Sequence, residues 1–414
     1  MVQGGDIVVE PPVTEVAVVT RPQPLGVFGL PLGYLLIPAG TDTDAARIAL
    51  MSGRLPDVWP ERLTAHRHAH EGDREAALAA LDGDDPVSRY NRFVLDPDAA
   101  DPALLRQDLG TLGVLVDVVQ FVLGRSTTVP DATGLDGEVS AAVLAVAASA
   151  AIDDGRHDDA VALLDTAAET ATSVSRALAG VLVGAAAVLC SDLAEPTALT
   201  RLQRALALLD EADGLAVVRA ELHLTAAGIL HEQAAQHPEM MPAAIPHYHS
   251  ALQLIRREDA PVLWASAHAD LAIAYLTMPM VEASSQLRLG IAAQSLRQAL
   301  TVFTREDHPQ RWASVQLNLA NSLVYSPSRH RQENLVEAVE IYEAVLATRG
   351  RDSDPQGRAR VLANQGNVLA HLGVFDQAKA KLYEARFLFE EAGDTDSVRS
   401  VRGVLDEISR EGAR

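Results

Sequence analysis

Lysine is almost missing from this chain of 414 residues: Lys379 and Lys381 are the only two, and arginine supplies the rest of the 34 basic side chains. We read that preference as genome bias before function. Against 56 acidic residues the formal charge is −22, so a phosphate backbone or an anionic membrane surface is repelled overall and nucleic acid is an unexpected partner. Cysteine is rarer still. Cys190 stands alone in an apolar helical run, which excludes a disulfide framework or a thiolate metal site within one chain and suits a reducing cytoplasm. Aromatic residues make up 4% of a chain that is 48% hydrophobic, so the core is built from Ala, Leu and Val, the composition of stacked helices rather than sheets. Long apolar runs are also absent. The longest, Leu25–Ala39, is interrupted by Pro31, Pro38 and glycines and at about 15 residues falls short of the roughly 20 that span a bilayer. The first residues lack the basic start and apolar run of a secretory signal. The expectation is a cytoplasmic protein with no membrane insertion.

Catalytic signatures are missing in the same way. There is no Walker loop, no Rossmann glycine pattern and no nucleophile elbow, and Gly26–Gly33 lacks the spacing of the first two. We expect a non-enzyme without a cofactor.

What is present begins with a contrast. Residues 1–40 carry β-rich runs, Asp6–Glu10, Glu15–Thr20 and Gly26–Pro38, broken by prolines and Gly29, which predicts short strands or an extended arm. Helical patterning starts near Thr41. Asp42, Thr43 or Asp44 is placed to cap a short helix through Met51, and Pro60 to open the next. Leu104, Leu105, Leu109, Leu112, Leu115, Val116, Val119 and Leu123 form a near 3.6-residue stripe, predicting one helix over 103–123. Ser126–Gly137 then has the turn residues of a connector. We therefore divide the chain into an N-terminal arm (1–40), a helical N-terminal region (41–125), a linker (126–137), a repeat array (138–393) and a C-terminal capping helix (394–414).

The array is visible as spacing. A small residue, a large one four positions on and a small or β-branched one three further recur as Ala160–Leu164–Ala167, Ala198–Leu202–Ala205, Ala244–Tyr248–Ala251, Ala292–Leu296–Ala299, Ala338–Tyr342–Val345 and Ala378–Leu382–Ala385. Offsets of 7, 5 and 7 link Gly366, Gly373, Ala378 and Ala385 as they link Ala148, Gly155, Ala160 and Ala167, and the first two offsets return in Ala65, Gly72 and Ala77. Longer matches join the later copies: Arg257-Glu258-Asp259 with Pro261, Trp264 and Ala265 returns as Arg305-Glu306-Asp307 with Pro309, Trp312 and Ala313, and then around Pro355 with Arg358 in the Trp position. In each copy Asp270, Asn318 or Asn364 follows at the same place. Repeats longer than the usual 34 residues are accounted for by long turns at Thr277–Gly290 and Ser326–Asn334.

NLAN (Asn318–Asn321) and NQGN (Asn364–Asn367) resemble the NLGN box of the tetratricopeptide repeat (TPR), and the Pro309 to Ala338 stretch is similar to the long bacterial TPR variant also found beside CHAT domains. No CHAT catalytic domain accompanies it here. The resemblance covers 240–392 strongly, 138–240 fairly, 60–85 weakly and 1–58 not at all. It implies an all-α TPR-like α-solenoid of helix–turn–helix repeats, here following a short β-rich or extended N-terminal segment. It also implies a groove lined by first helices that binds peptides or protein surfaces. On that basis Asn321 and Asn367 are partner-binding candidates, joined by Arg360 and His371, while Asn318 and Asn364 are read as bonding to neighbouring helices. The cationic clamp for a C-terminal carboxylate is not supported, because Leu317 and Ala363 stand four residues before the two candidate asparagines.

His66, His68 and His70, in AHRHAHEGD, are the one metal-like cluster, with His66 and His70 at the i, i+4 spacing of zinc or nickel ligands, but only Glu71 or Asp73 offers itself as a further ligand and HExxH is missing. Solvated histidines are the preferred reading. His247 and His249, two apart, diverge on a helix. Trp264 and Trp312 share a repeat position, which favours packing between repeats over a partner anchor. The sequence thus points to a scaffold or adaptor for a protein or peptide, with self-association open. The alternative is an assembly or maturation chaperone for a multi-subunit, metal-containing enzyme complex.

Overall fold

The computed structural model of the protein describes residues 25–278, 285–325, 330–351 and 353–411. Helices account for its regular structure, with no strand among the described residues. The chain forms two compact units, divided between Leu222 and His223.

The described part of the first unit opens with an irregular segment where short strands or an extended arm were expected. Residues 25–43 contain only turns and one 3-10 turn at Leu32–Tyr34, yet Leu25, Leu35, Leu36 and Ile37 are fully buried. The expected strands Asp6–Glu10 and Glu15–Thr20 lie outside the described residues. Buried backbone must find partners, and at Leu36 side chains supply them in place of a neighbouring strand. Its N–H donates to Asn91 Oδ1 at 2.8 Å, and its carbonyl accepts from Asn91 Nδ2 at 2.8 Å. The same carbonyl takes His66 Nε2 at 3.2 Å.

Six helices follow: α1 (Asp44–Met51), α2 (Thr64–Glu71), α3 (Arg74–Ala79), α4 (Pro86–Leu95), α5 (Pro102–Asp108) and α6 (Val114–Val122). Aspartates start three of them. Asp73, Asp85 and Asp101 accept from backbone N–H groups of the first turns of α3, α4 and α5. Thr43 precedes α1 as expected, but its hydroxyl donates to the Pro38 and Gly40 carbonyls instead of capping. Ala65 and Ala77, on α2 and α3, are buried at the repeat-like spacing.

The single helix expected over 103–123 is broken by a 3-10 turn at Gly110–Gly113. Gly110 has φ +56°, and a Cβ on Gly113 would lie 2.3 Å from the Arg106 carbonyl oxygen, so the chain turns where side chains would not fit. The apolar stripe survives the break because α5 and α6 fold onto the same core, around Tyr90, Phe93, Leu105 and Leu115.

Residues 123–136 carry no regular structure. After them come the paired helices α7 (Gly137–Asp153) with α8 (His157–Thr172) and α9 (Arg176–Asp192) with α10 (Ala198–Leu208), then α11 (Ala216–Gln233), which crosses the division between the units.

The second unit continues with α12 (Met241–Leu254), the pairs α13 (Pro261–Thr277) with α14 (Ser285–Ala299), α15 (Pro309–Tyr325) with α16 (Arg331–Leu346) and α17 (Pro355–His371) with α18 (Phe375–Glu391), and α19 (Thr395–Glu411). The long turns are shorter than expected. Helix α14 reaches back to Ser285 and α16 to Arg331, because Leu289 and Leu335 extend the buried stripe toward the start of each helix.

Every side chain of the small–large–small series is buried, none more than 5% exposed. The reason is close approach. A Cβ on Gly366 would meet Leu382 Cγ at 2.7 Å, so the large residue of the second helix fills the space the first helix leaves open. Hairpins this short cannot bury an apolar face alone and must stack. The last one is closed by α19, whose Val398, Val401, Leu405 and Ile408 are buried. The protein is an all-α stack of TPR-like helical hairpins.

Candidate functional site

The first helices of three successive hairpins share one construction. Each begins at a proline (Pro261, Pro309, Pro355), and Ala265, Ala313 and Ala359 are buried four residues later, which fixes the same rotation for all three. On α17, Asp354 adds a cap by accepting from Gly357 N–H at 2.9 Å. With the rotation fixed, one stripe of each helix is at least partly accessible and, apart from Ile273, polar. It carries Arg360, Asn364, Asn367 and His371 on α17, Ser314, Asn318, Asn321 and Tyr325 on α15, and Ser266, Asp270, Ile273 and Thr277 on α13, spaced for a common helical face.

Of the four sequence candidates, Arg360 and His371 are exposed and Asn321 and Asn367 half-buried. Asn321 is the most constrained. Its Oδ1 accepts from the Tyr342 hydroxyl at 2.7 Å and from Asn364 Nδ2 at 3.2 Å. That orientation leaves the Asn321 amide N–H groups as its outward donors. Burial pushes the Tyr342 phenol up, so it remains a donor across the physiological range. The side chains of Asn367 and His371 make no hydrogen bond within the described residues. The Arg360 guanidinium acts through space on Asp394, whose carboxyl is held low first by the backbone and hydroxyl of Ser397.

The repeat register contributes one further group that the sequence aligned without identifying its role. Asp270 stands in α13 where Asn318 and Asn364 stand in α15 and α17. It is exposed, but the surrounding protein desolvates its carboxyl and pushes it up to about 6, with Arg311 pulling the other way. The signal was its alignment with two asparagines.

The histidine pair of α2 is not brought to one open face. His66 is buried, with Nε2 on the Leu36 carbonyl, and burial pushes its imidazole down to about 4; His70 is exposed. Among the described residues no group of three or more His, Cys, Asp or Glu side chains is arranged to hold a metal. His247 and His249 do diverge, His247 Nδ1 meeting His223 Nδ1 at 2.9 Å and His249 Nε2 meeting the Tyr275 hydroxyl at 3.0 Å. Trp264 and Trp312 are half-buried against the core of the second unit. In their repeat position Arg358 bonds Glu384 at 2.9 Å and the carbonyls of Leu346 and Arg349, so it caps the end of α16 instead of filling space. No helix among the described residues is long and apolar enough to cross a membrane.

No family model matches the chain, and no curated protein matches it. Solved structures do. The apo form of RapI is 13% identical with a TM-score of 0.45, the match covering 85% of this chain and 97% of that one. A Rap protein complexed with competence and sporulation factor is 13% identical over the same shares, with a TM-score of 0.39. The TPR domain of P58(IPK) is 15% identical with a TM-score of 0.27, covering 84% of this chain and 96% of that one.

Proposed function

We propose that the protein is a non-enzymatic cytoplasmic adaptor that binds a protein or peptide on the face formed by α13, α15 and α17. The observation that carries this reading is the polar stripe repeated in register on three helices whose other sides are committed to packing. Side-chain amides suit an extended backbone: Asn367 offers both a donor and an acceptor, and Asn321, whose Oδ1 is taken by Tyr342 and Asn364, offers its N–H groups. Asn321 is preoriented by Tyr342 and Asn364, which lowers the ordering cost of binding. Asn367, Arg360 and His371 extend the same surface.

The metal-handling form of the chaperone alternative loses its motive, since His66 is occupied in holding Leu36.

The test is affinity capture from the source cell with the full-length protein and a variant combining Asn321→Ala, Asn367→Ala, Arg360→Ala and His371→Ala. Binding on this face predicts that proteins retained by the wild type are lost from a variant with an unchanged circular dichroism spectrum. Capture of the same set by both would place binding elsewhere.

A further inference from the structure

We propose that Asp270 is the receptor for a positive charge on the bound peptide: a lysine or arginine side chain, or a free amino terminus. The inference rests on the reading of the first-helix face as a peptide site, and it names what one end of that face recognises.

The register supplies the first argument. Asp270 precedes Asn318 by one repeat, and Asn318 precedes Asn364 by another. Asparagine and aspartate have nearly the same shape, but an ionised carboxylate only accepts. A face that read nothing but backbone would gain from an amide at each step. At this step it carries a group that requires a donor, and charge-assisted donors bind a carboxylate most strongly.

The surroundings supply the second. The Asp270 side chain makes no hydrogen bond or ion pair with any described residue, and its electrostatic neighbours are Tyr248 from α12 and Arg311 from α15. Both are engaged elsewhere. The Tyr248 hydroxyl meets His231 Nδ1 at 3.2 Å. The Arg311 guanidinium reaches Ser266 Oγ at 3.4 Å and lies over the Phe303 ring at 5.2 Å. The Asp270 carboxylate therefore has acceptor positions that no described side chain fills, with Arg311 acting on it only through space. An arriving cation fills them, and the exposed side chain leaves the approach open.

The third argument is charge. A chain with a formal charge of −22 attracts cationic ligands over long range and repels acidic ones. A bound metal ion does not fit the same place, because Asp270 belongs to no metal-competent cluster among the described residues.

The probe is a positional-scanning decapeptide library presented to the immobilised full-length protein, in one arm with acetylated amino termini and in the other with free ones. The wild type should enrich Lys and Arg at one position of the acetylated library, or bind the free-amine library alone if the amino terminus is the cation. Asp270→Asn, close to isosteric, should reduce that preference about tenfold or more while binding that depends on Asn321 and Asn367 persists. Asp270→Arg should turn the preference toward Asp and Glu. Binding lost on Asn321→Ala and Asn367→Ala but blind to ligand charge, or a charge preference that survives Asp270→Asn, overturns the role of Asp270 alone. A wild type that retains no peptide overturns the reading of the face and this assignment with it.

Discussion

Asn364 Nδ2 donates to Asn321 Oδ1 across the boundary between two hairpins, and the same oxygen receives the Tyr342 hydroxyl from within its own hairpin. One acceptor therefore serves two donors of unequal burial. Asn321→Ala strands the buried Tyr342 hydroxyl and should cost about 1–3 kcal/mol, whereas Asn364→Ala removes one partly exposed bond and should cost about 0.5–1.5 kcal/mol. Urea titration of the two variants checks the order, and equal losses would show that Asn321 does not organise the junction.

Gly366→Ala should destabilise by about 1–3 kcal/mol through overpacking, because the added methyl would sit 2.7 Å from Leu382 Cγ and 3.2 Å from the Ala378 carbonyl oxygen. The loss should be smaller when Leu382 is already alanine. A double-mutant cycle of thermal melts measures the coupling, and strict additivity would contradict the contact.

Acid should weaken the first unit through His66. Its ring is driven from 6.5 to about 4 by burial, the bond to Leu36 opposing only in part, so between those pH values the unfolded chain binds the proton and the folded one does not. Stability from this source is complete above pH 6.5 and declines as pH falls toward 4, by up to about 3 kcal/mol. Stability of the wild type and His66→Gln should therefore converge on acidification from pH 7 to 4.5. Parallel curves would exclude the ring as the titrating group.

Asn91→Leu should be the more damaging change in the same place. It removes both side-chain bonds to the Leu36 backbone and leaves a buried N–H without its acceptor, at about 1–3 kcal/mol for a stranded group. Hydrogen exchange at the Leu36 amide is the direct measurement. Unaltered protection there would show that Asn91 is not what holds the segment.

How much of this was legible in the sequence follows from how local each feature is. The hairpins were, because the Ala378–Leu382–Ala385 spacing and its five earlier copies encode packing within a few turns of helix. The break at Gly110–Gly113 was not, since an apolar stripe reads the same whether one helix carries it or two that share a core. His66 read as a solvated histidine but is buried, because its partner is 30 residues away in sequence, in a segment expected to form short strands or an extended arm. Asp270 was visible in register with Asn318 and Asn364. That its carboxylate bonds neither Tyr248 nor Arg311 depends on where those side chains are held, and spacing carries no information about that.

The division of labour inside each hairpin also bears on how such a protein changes over time. The buried series on the second helices and the buried alanines of the first carry the packing, so that of the stripe on α13, α15 and α17 only Asn321 and Asn364, which bond at the junction of two hairpins, are also tied to the stack. Recognition can then drift one residue at a time while the architecture stays constant, and a stripe moved from one hairpin to another should carry its preference with it. Ligand choice in this molecule is an inherited text that can be edited without rebinding the book.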